Sequence, residues 1–235
     1  TSDTFEVGSS LSGDPLLYVP GRIGLSTYQV DDAGSPFGFS LVNQEAVDFG
    51  TGWQSQSIGD TLYVTDLGRF SIFDNSDPTA PVLLARMEHP VTGLTPFYVH
   101  AVGDQRVLYI LTWEDFNLGI QPEFHTYDVT DPANMVELEL TPPQLLSGNL
   151  NMTVGMVGDQ LIAAVSEGGY WDTLSTPNVW HPGNLEMFDL SDPADIKALP
   201  VIETFDRNVN DLAIQGNYLF VAESSNPMQS PDGTW

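Results

Sequence analysis

The groups in this sequence that could do chemistry are aspartates in a fixed frame and four histidines. Phe73-Asp74-Asn75-Ser76-Asp77-Pro78 returns as Tyr127-Asp128-Val129-Thr130-Asp131-Pro132, and again as Phe188-Asp189-Leu190-Ser191-Asp192-Pro193. Two aspartates three residues apart, with a residue of hydroxyl or amide type between them, suit two tasks. As turn residues, Asp and Ser or Thr hydrogen-bond nearby backbone groups. As a pair of hard oxygen donors, they could help hold a cation, which would be a structural calcium. The second Asp precedes Pro and is biased towards an extended conformation. Pro then removes a ladder donor, so a strand ends here and a loop follows. The aromatic before the first Asp is expected to be the last inward-facing residue of that strand.

The histidines are His89, His100, His125 and His181, with no short spacing of the kind metal ligands show. There is no Gly-x-Ser-x-Gly, phosphate-binding loop, dinucleotide fingerprint, His-Glu-x-x-His or Asp-x-Asp-x-Asp-Gly calcium loop. Cysteine is absent, which excludes disulfides, thiol nucleophiles and thiolate metal sites. Any site must therefore be gathered from residues distant in sequence.

The elements that would gather them repeat. Before each hexapeptide stands a Gly-Asp turn followed by a short apolar run: Gly59-Asp60 with Leu62-Tyr63-Val64, Gly103-Asp104 with Leu108-Tyr109-Ile110, and Gly158-Asp159 with Leu161-Ile162-Ala163. Gly13-Asp14 with Leu17-Tyr18-Val19 and Gly216-Asn217 with Leu219-Phe220-Val221 complete the series. Such a turn between apolar runs signals a hairpin. One unit reads as strands over 53–58, 61–66, 69–74 and 81–88. Four antiparallel strands in about 45 residues is the size of a propeller blade. The next two units place their third and fourth strands at Phe124–Asp128 and Met135–Leu140, then at Leu185–Asp189 and Ala198–Phe205. The first unit, with Leu25–Val30 and Phe37–Val42, lacks the full hexapeptide.

The expectation is an all-β fold: a β-propeller of four-stranded antiparallel blades, read as one domain over 1–235. Blades fall at 1–48, 49–92, 93–145 and 146–206, with part of a fifth at 207–235. Four and a half blades suggest a fragment of a larger propeller, and the start at Thr1 suggests a trimmed or mature product.

Inner strands of a propeller line its channel, where side chains alternate. Gln56, Tyr98, His100, Asn210 and Asp211 are the channel candidates, able to surround water, a cation or a small polar ligand. Two insertions are further candidates, because binding concentrates on loops carried by a rigid scaffold. Trp113–Pro122 brings Trp113, and Glu167–Gly183 brings Tyr170, Trp171, Trp180 and His181. These rings could bind a partner or pack on their own blade. Asn151-Met152-Thr153 fits a glycosylation acceptor, but it falls in an inner strand.

The hexapeptides and their flanking strands resemble the LVIVD-repeat family of bacterial and archaeal surface propellers. Met187-Phe188-Asp189-Leu190-Ser191-Asp192-Pro193 and His125-Thr126-Tyr127-Asp128-Val129-Thr130-Asp131-Pro132 are the nearest segments. Val154-Gly155-Met156-Val157-Gly158-Asp159-Gln160-Leu161 is similar to the related secreted β-propeller domain family of prokaryotes. The resemblance spans about residues 10–222. It implies a propeller exported to the cell exterior and no enzyme activity. The first unit departs from it by lacking the corner, and the two insertions exceed a minimal repeat.

Composition points the same way. Against 32 acidic residues stand 6 basic ones, for a formal net charge of −26. Such a chain repels nucleic acid and anionic membranes, which need basic residues to meet phosphate. No apolar run reaches transmembrane length. The reading is a non-catalytic extracellular or cell-surface scaffold that binds a protein or glycan through blade loops, within a larger surface assembly, with no cofactor beyond structural calcium at the corners. The alternative is a metal-dependent hydrolase at the channel mouth, built from Asp, Asn and His of different blades.

Overall fold

The structure, a computed structural model, describes residues 6–9, 15–21, 24–31, 38–45, 54–66, 69–78, 80–88, 96–112, 123–141, 150–167, 170–172, 179–181, 183–200, 203–205 and 209–223. The architecture is all-β and of propeller type: consecutive four-stranded antiparallel sheets, each a meander of sequence neighbours. β1 (Glu6–Ser9), β2 (Pro15–Gly21), β3 (Gly24–Asp31) and β4 (Gly38–Glu45) form one. β5 (Gln54–Ile58), β6 (Thr61–Asp66), β7 (Arg69–Asp74) and β8 (Val82–Glu88) form the next. β9 (Phe97–Val102), β10 (Gln105–Thr112), β11 (Glu123–Asp128) and β12 (Val136–Thr141) form the third.

The fourth sheet has an interrupted outer strand. β13 (Leu150–Val157) and β14 (Gln160–Glu167) lead into a small hairpin, β15 (Tyr170–Asp172) and β16 (Val179–His181), before β17 (Gly183–Asp189) returns to the sheet. The sequence suggests one outer strand over Ala198–Phe205. Instead β18 (Lys197–Ala198) and β19 (Glu203–Phe205) each pair with β17. Pro200 lies between them and has no ladder donor, which accounts for the break. β20 (Val209–Gln215) and β21 (Tyr218–Glu223) form a separate two-stranded sheet.

The hairpin turns form where glycine permits them. Gly59, Gly103, Gly158 and Gly216 all have positive φ, between 58° and 63°, a region that glycine enters without steric cost. The second strands of the second, third and fourth sheets are buried on both faces. Leu62–Thr65 on β6, Val107–Leu111 on β10 and Leu161–Ser166 on β14 are all buried. Strands covered on both faces read as continuous apolar runs rather than alternations, as these do.

The chain divides into two compact units, 1–108 with 128–136 and 109–127 with 137–235. In the first, Leu16 and Tyr18 pack on Leu62, Val64 and Phe73. Phe70 stacks on Tyr63 at 6.1 Å and meets Phe97 edge-on at 5.5 Å. In the second, Phe124 stacks on Phe188 at 5.2 Å. There Ala164, Leu185, Val209 and Leu212 form a core joined by Met187, Ile214, Leu219 and Val221. Two buried tyrosines tie one sheet to the next. The Tyr18 hydroxyl accepts from Asn75 Nδ2 at 2.6 Å, and the Tyr109 hydroxyl donates to Leu190 O at 3.1 Å. Asn75 and Leu190 occupy the same place in their hexapeptides, directly after the first Asp.

Where β13 crosses β20, the fit leaves no room for a side chain. A Cβ on Gly155 would lie 2.8 Å from Ile214 Cγ2 and 2.9 Å from its Cβ. Gly155→Ala is therefore expected to lower stability by ~1–3 kcal/mol, the usual cost of overpacking. Chemical denaturation reads the loss, which should shrink in an Ile214→Gly background, where both Cγ2 and Cβ are gone. An equal cost in both backgrounds would mean the close approach is not the cause.

Candidate functional site

The hexapeptide corners use their aspartates as backbone acceptors. Asp74 Oδ1 accepts from the Ser76 amide at 2.9 Å, Asp128 Oδ1 from Thr130 at 2.9 Å, and Asp189 Oδ1 from Ser191 at 3.0 Å. The hydroxyl between the aspartates reaches across to the hairpin. Thr130 Oγ1 accepts from the Arg106 amide at 2.9 Å and Ser191 Oγ from the Leu161 amide at 3.2 Å. A backbone bond runs beside each: Val129 N to Arg106 O at 2.9 Å and Leu190 N to Leu161 O at 2.8 Å. The first hexapeptide makes the matching bond from Asn75 N to Asp60 O at 2.7 Å. The second aspartate caps the turn that follows. Asp131 Oδ1 accepts from Ala133 N, heading a 3-10 turn over Pro132–Asn134, and Asp192 Oδ1 accepts from Ala194 N.

These bonds favour the ionised form. The Ser76 amide holds the Asp74 carboxyl below its ordinary range. The Thr130 side chain and amide do the same for Asp128, and those of Ser191 for Asp189. Gln160 Nε2 adds a bond to Asp189 Oδ2 at 2.9 Å.

The channel candidates fall in both units. Gln56 on β5 is a clamp. Its Nε2 donates to Val99 O at 2.8 Å, and its Oε1 accepts from Val99 N at 2.7 Å. Gln54, two residues earlier, holds Phe97 the same way, with both bonds at 3.0 Å. The two side chains thus imitate a ladder partner for β9, an edge strand of its sheet. Asn151 Nδ2 donates to Val209 O at 3.2 Å from β13 to β20. Tyr98 and His100, half-buried on β9, stack at 6.3 Å and 22°. Burial pushes the His100 pKa down, so the ring is neutral at neutral pH. In the other unit, Asp211 is exposed and its Oδ1 accepts from the Leu212 amide at 2.8 Å. Asn210 sits at a register shift between Val209 and Asp211. Tyr98 and His100 are thus brought together, while Gln56 and Asp211 each bond to backbone.

A further polar cluster involves His125, which the sequence leaves as an isolated histidine. Its Nδ1 lies 2.8 Å from Glu137 Oε1 and its Nε2 3.2 Å from Glu123 Oε2. The Tyr127 ring stacks on it at 5.9 Å, with the hydroxyl 3.4 Å from Nδ1. Burial, reinforced by Glu137 and Glu123, pushes the Tyr127 hydroxyl far above the usual tyrosine range, so it remains neutral. Tyr127 is half-buried, whereas Phe73 and Phe188 at the same place are fully inside. Its polar end belongs to this group, so it is not a purely inward-facing aromatic. The spacing Glu123-x-His125-x-Tyr127 on one strand face was the available signal. Among the described residues, no group of three or more His, Asp or Glu is placed to hold a metal ion.

Of the loop candidates, Trp113 lies outside the described residues. The stretch Glu167–Gly183 contains a regular hairpin. Tyr170 pairs with His181, Trp171 with Trp180, and Asp172 with Val179.

The LVIVD repeat model matches residues 57–88 and 206–228, that is, the β5–β8 blade and the β20–β21 hairpin. LVIVD repeats are found in β-propeller-like proteins of prokaryotes. No curated protein matches the sequence. Among solved structures, a chain of S. cerevisiae core factor is similar at 8% identity and TM-score 0.45, over 97% of this chain and 46% of its own length. The present chain thus spans less than half of that one. A Bacteroides fragilis protein named as a 6-phosphogluconolactonase is similar at 11% identity and TM-score 0.44, over 92% of this chain and 76% of that one. Among the described residues, no helix is long and apolar enough to cross a membrane.

Two outcomes follow from the geometry. Gln56→Leu strips the partners from both Val99 backbone groups, and each buried group left unpaired costs ~1–3 kcal/mol. The melting temperature of the protein alone should fall; a role confined to binding a ligand would leave it unchanged. The corner aspartates titrate lower folded than unfolded. Their stabilisation is therefore complete above the unfolded value, near ~3.9, and is lost as pH falls through the folded values. Thermal melts from pH 6 down to pH 2 should show that loss, and Asp128→Ala with Asp189→Ala should flatten it. An unchanged acid slope in the double variant would remove the corners as its source.

Proposed function

We propose that this chain is a non-catalytic extracellular or cell-surface scaffold that binds a protein or a glycan, with the β15–β16 hairpin as its contact. The observation that carries the reading is the pairing of Trp171 with Trp180 and of Tyr170 with His181 on a hairpin set apart from the blade sheets. Aromatic rings offer large contact area at small entropic cost, because they have few rotatable bonds. A hairpin presents them in a fixed register, which a structureless loop does not. The repeat's own polar groups are occupied otherwise: the corner aspartates cap turns, and Gln54 and Gln56 hold a neighbouring strand. A net charge of −26 disfavours nucleic acid and anionic membranes and suits neutral glycans or basic proteins. Trp113, in the other insertion, is a second contact candidate.

The test is a binding screen of the purified chain against an immobilised panel of neutral oligosaccharides and against purified surface proteins of the source cell. Trp171→Ala with Trp180→Ala is expected to weaken the best hit at least ~10-fold, about 1.4 kcal/mol, with the melting temperature unchanged. Undiminished binding by that variant would count against the hairpin, and the absence of any hit would count against the scaffold reading itself.

A further inference from the structure

The outer strand of the second sheet carries aliphatic side chains that the repeat does not require. Val82, Leu83 and Leu84 on β8 are 59%, 44% and 48% exposed. A run of exposed apolar residues does nothing for a strand that only completes a sheet. Val82 stands opposite Asp74 and Leu83 opposite Phe73, the first two residues of the hexapeptide. In the fourth sheet the same places, opposite Asp189 and Phe188, hold Lys197 and Ala198. In the first sheet Ser40 stands at the place of Val82, opposite Gln29, with Leu41 at the place of Leu83. A serine or a lysine therefore serves the fold where Val82 stands, and lysine is a common guard of an exposed edge.

The patch continues onto the third sheet within the same compact unit. β8 touches the 3-10 turn over Pro132–Asn134, and Val136, just past that turn, is 55% exposed. Exposed aliphatic side chains thus gather at the seam of two sheets, and such a patch marks an interaction site. The backbone of β8 is guarded. Its pairing shifts between Ile72 and Phe73, which leaves Leu84 as an extra residue in the outer strand. A bulge of this kind disturbs the ladder and turns a further strand away. What β8 offers is therefore its side chains. Carboxylates flank them: Asp74 lies opposite Val82, Asp77 lies in the turn that leads into β8, and Asp131 caps the 3-10 turn. The bond from the Ser76 amide favours the charged form of Asp74.

We propose that this seam docks a basic amphipathic helix of a partner protein. The apolar face of the helix lies on Val82, Leu83, Leu84 and Val136, and its Lys or Arg residues meet the flanking aspartates. A helix suits a surface of side chains beside a guarded edge, because it is recognised through its own apolar face. Charge decides between occupants. A second copy would bring another −26 to the seam, and an anionic lipid surface would be repelled in the same way. A basic segment is attracted, and the same field speeds its encounter. The proposal does not rest on what the β15–β16 hairpin binds.

Fluorescence anisotropy on the intact chain tests it, with a labelled Leu/Lys amphipathic helix as the probe and a Leu/Glu helix of the same length beside it. The Leu/Lys helix is expected to bind saturably, more weakly as salt screens the charges, and the Leu/Glu helix not at all. Val82→Ser with Leu83→Ala installs residues that the first and fourth sheets carry at those places, so the fold is kept and the net charge is unchanged. That variant should bind the Leu/Lys helix at least ~10-fold more weakly. Val102→Ser, which removes an exposed aliphatic from the end of β9, should bind like the parent. A thermal melt checks that the paired variant folds, and Val82→Ser alone replaces it if it does not. A parent that fails to bind the Leu/Lys helix overturns the proposal. So does a seam variant with the parent's affinity, since charge alone would then hold the probe. Sedimentation of the parent as a dimer that the seam variant loses would give the seam to a second copy. Capture of the parent, and not of the variant, by phosphatidylcholine vesicles would give it to a lipid surface; either result overturns the proposal.

Discussion

A sheet whose central strands are apolar on both faces cannot stand alone. The second strands here, Leu62–Thr65, Val107–Leu111 and Leu161–Ser166, have no polar face to turn towards water. Each must be covered on both sides, and the cover must be another sheet of the same kind. Serial repetition follows from that requirement. So does the clustering of the large rings, with Phe70 against Phe97 and Phe124 against Phe188. Sheet-on-sheet burial supplies the attraction, and the remaining features keep the polar backbone satisfied while it happens.

Backbone satisfaction is solved differently at the two sides of a blade. At the corner the solution is local: Asp, hydroxyl and Asp lie within four residues and tie the third strand to the hairpin turn of its own sheet. At the first strand it is remote. β9 presents an edge, and edges carry unpaired N–H and C=O groups. Gln54 and Gln56 meet them with side-chain amides, which offer a donor and an acceptor in nearly the geometry of a peptide unit. A true ladder would fuse two blades into one sheet. The glutamine clamp joins them at separate points and leaves each sheet free to take its own twist.

That difference in range governs what could be read from the residues alone. The corners were legible because each is a short string with its own turn chemistry, and the hairpins because Gly59, Gly103, Gly158 and Gly216 punctuate them. The clamp was not: Gln56 and Val99 are 43 residues apart, so Gln56 looked like a polar channel residue. His125 looked isolated because Glu137 lies on the adjoining strand of its sheet. The insertion at Glu167–Gly183 was visible as excess length, but its pairing of Trp171 with Trp180 depends on register, which spacing does not fix. The break in the outer strand of the fourth sheet is signalled by Pro200, but the apolar pattern around that residue conceals it.

The same economy bears on where activity can reside. A repeat position that caps a turn, clamps an edge or fills the space between sheets cannot change without cost to stability. The corner aspartates, the glutamines and the buried tyrosines are all constrained in this way. Freedom lies where the repeat is interrupted. The β15–β16 hairpin stands between β14 and β17 in the chain and pairs as a sheet of its own. In the proposed reading, scaffold and contact are thereby separated in sequence. The His125 cluster is the exception within the repeat. His125 takes the buried strand position filled by Ser71 and Glu186 in the neighbouring blades, and Glu123 and Glu137 face its two ring nitrogens.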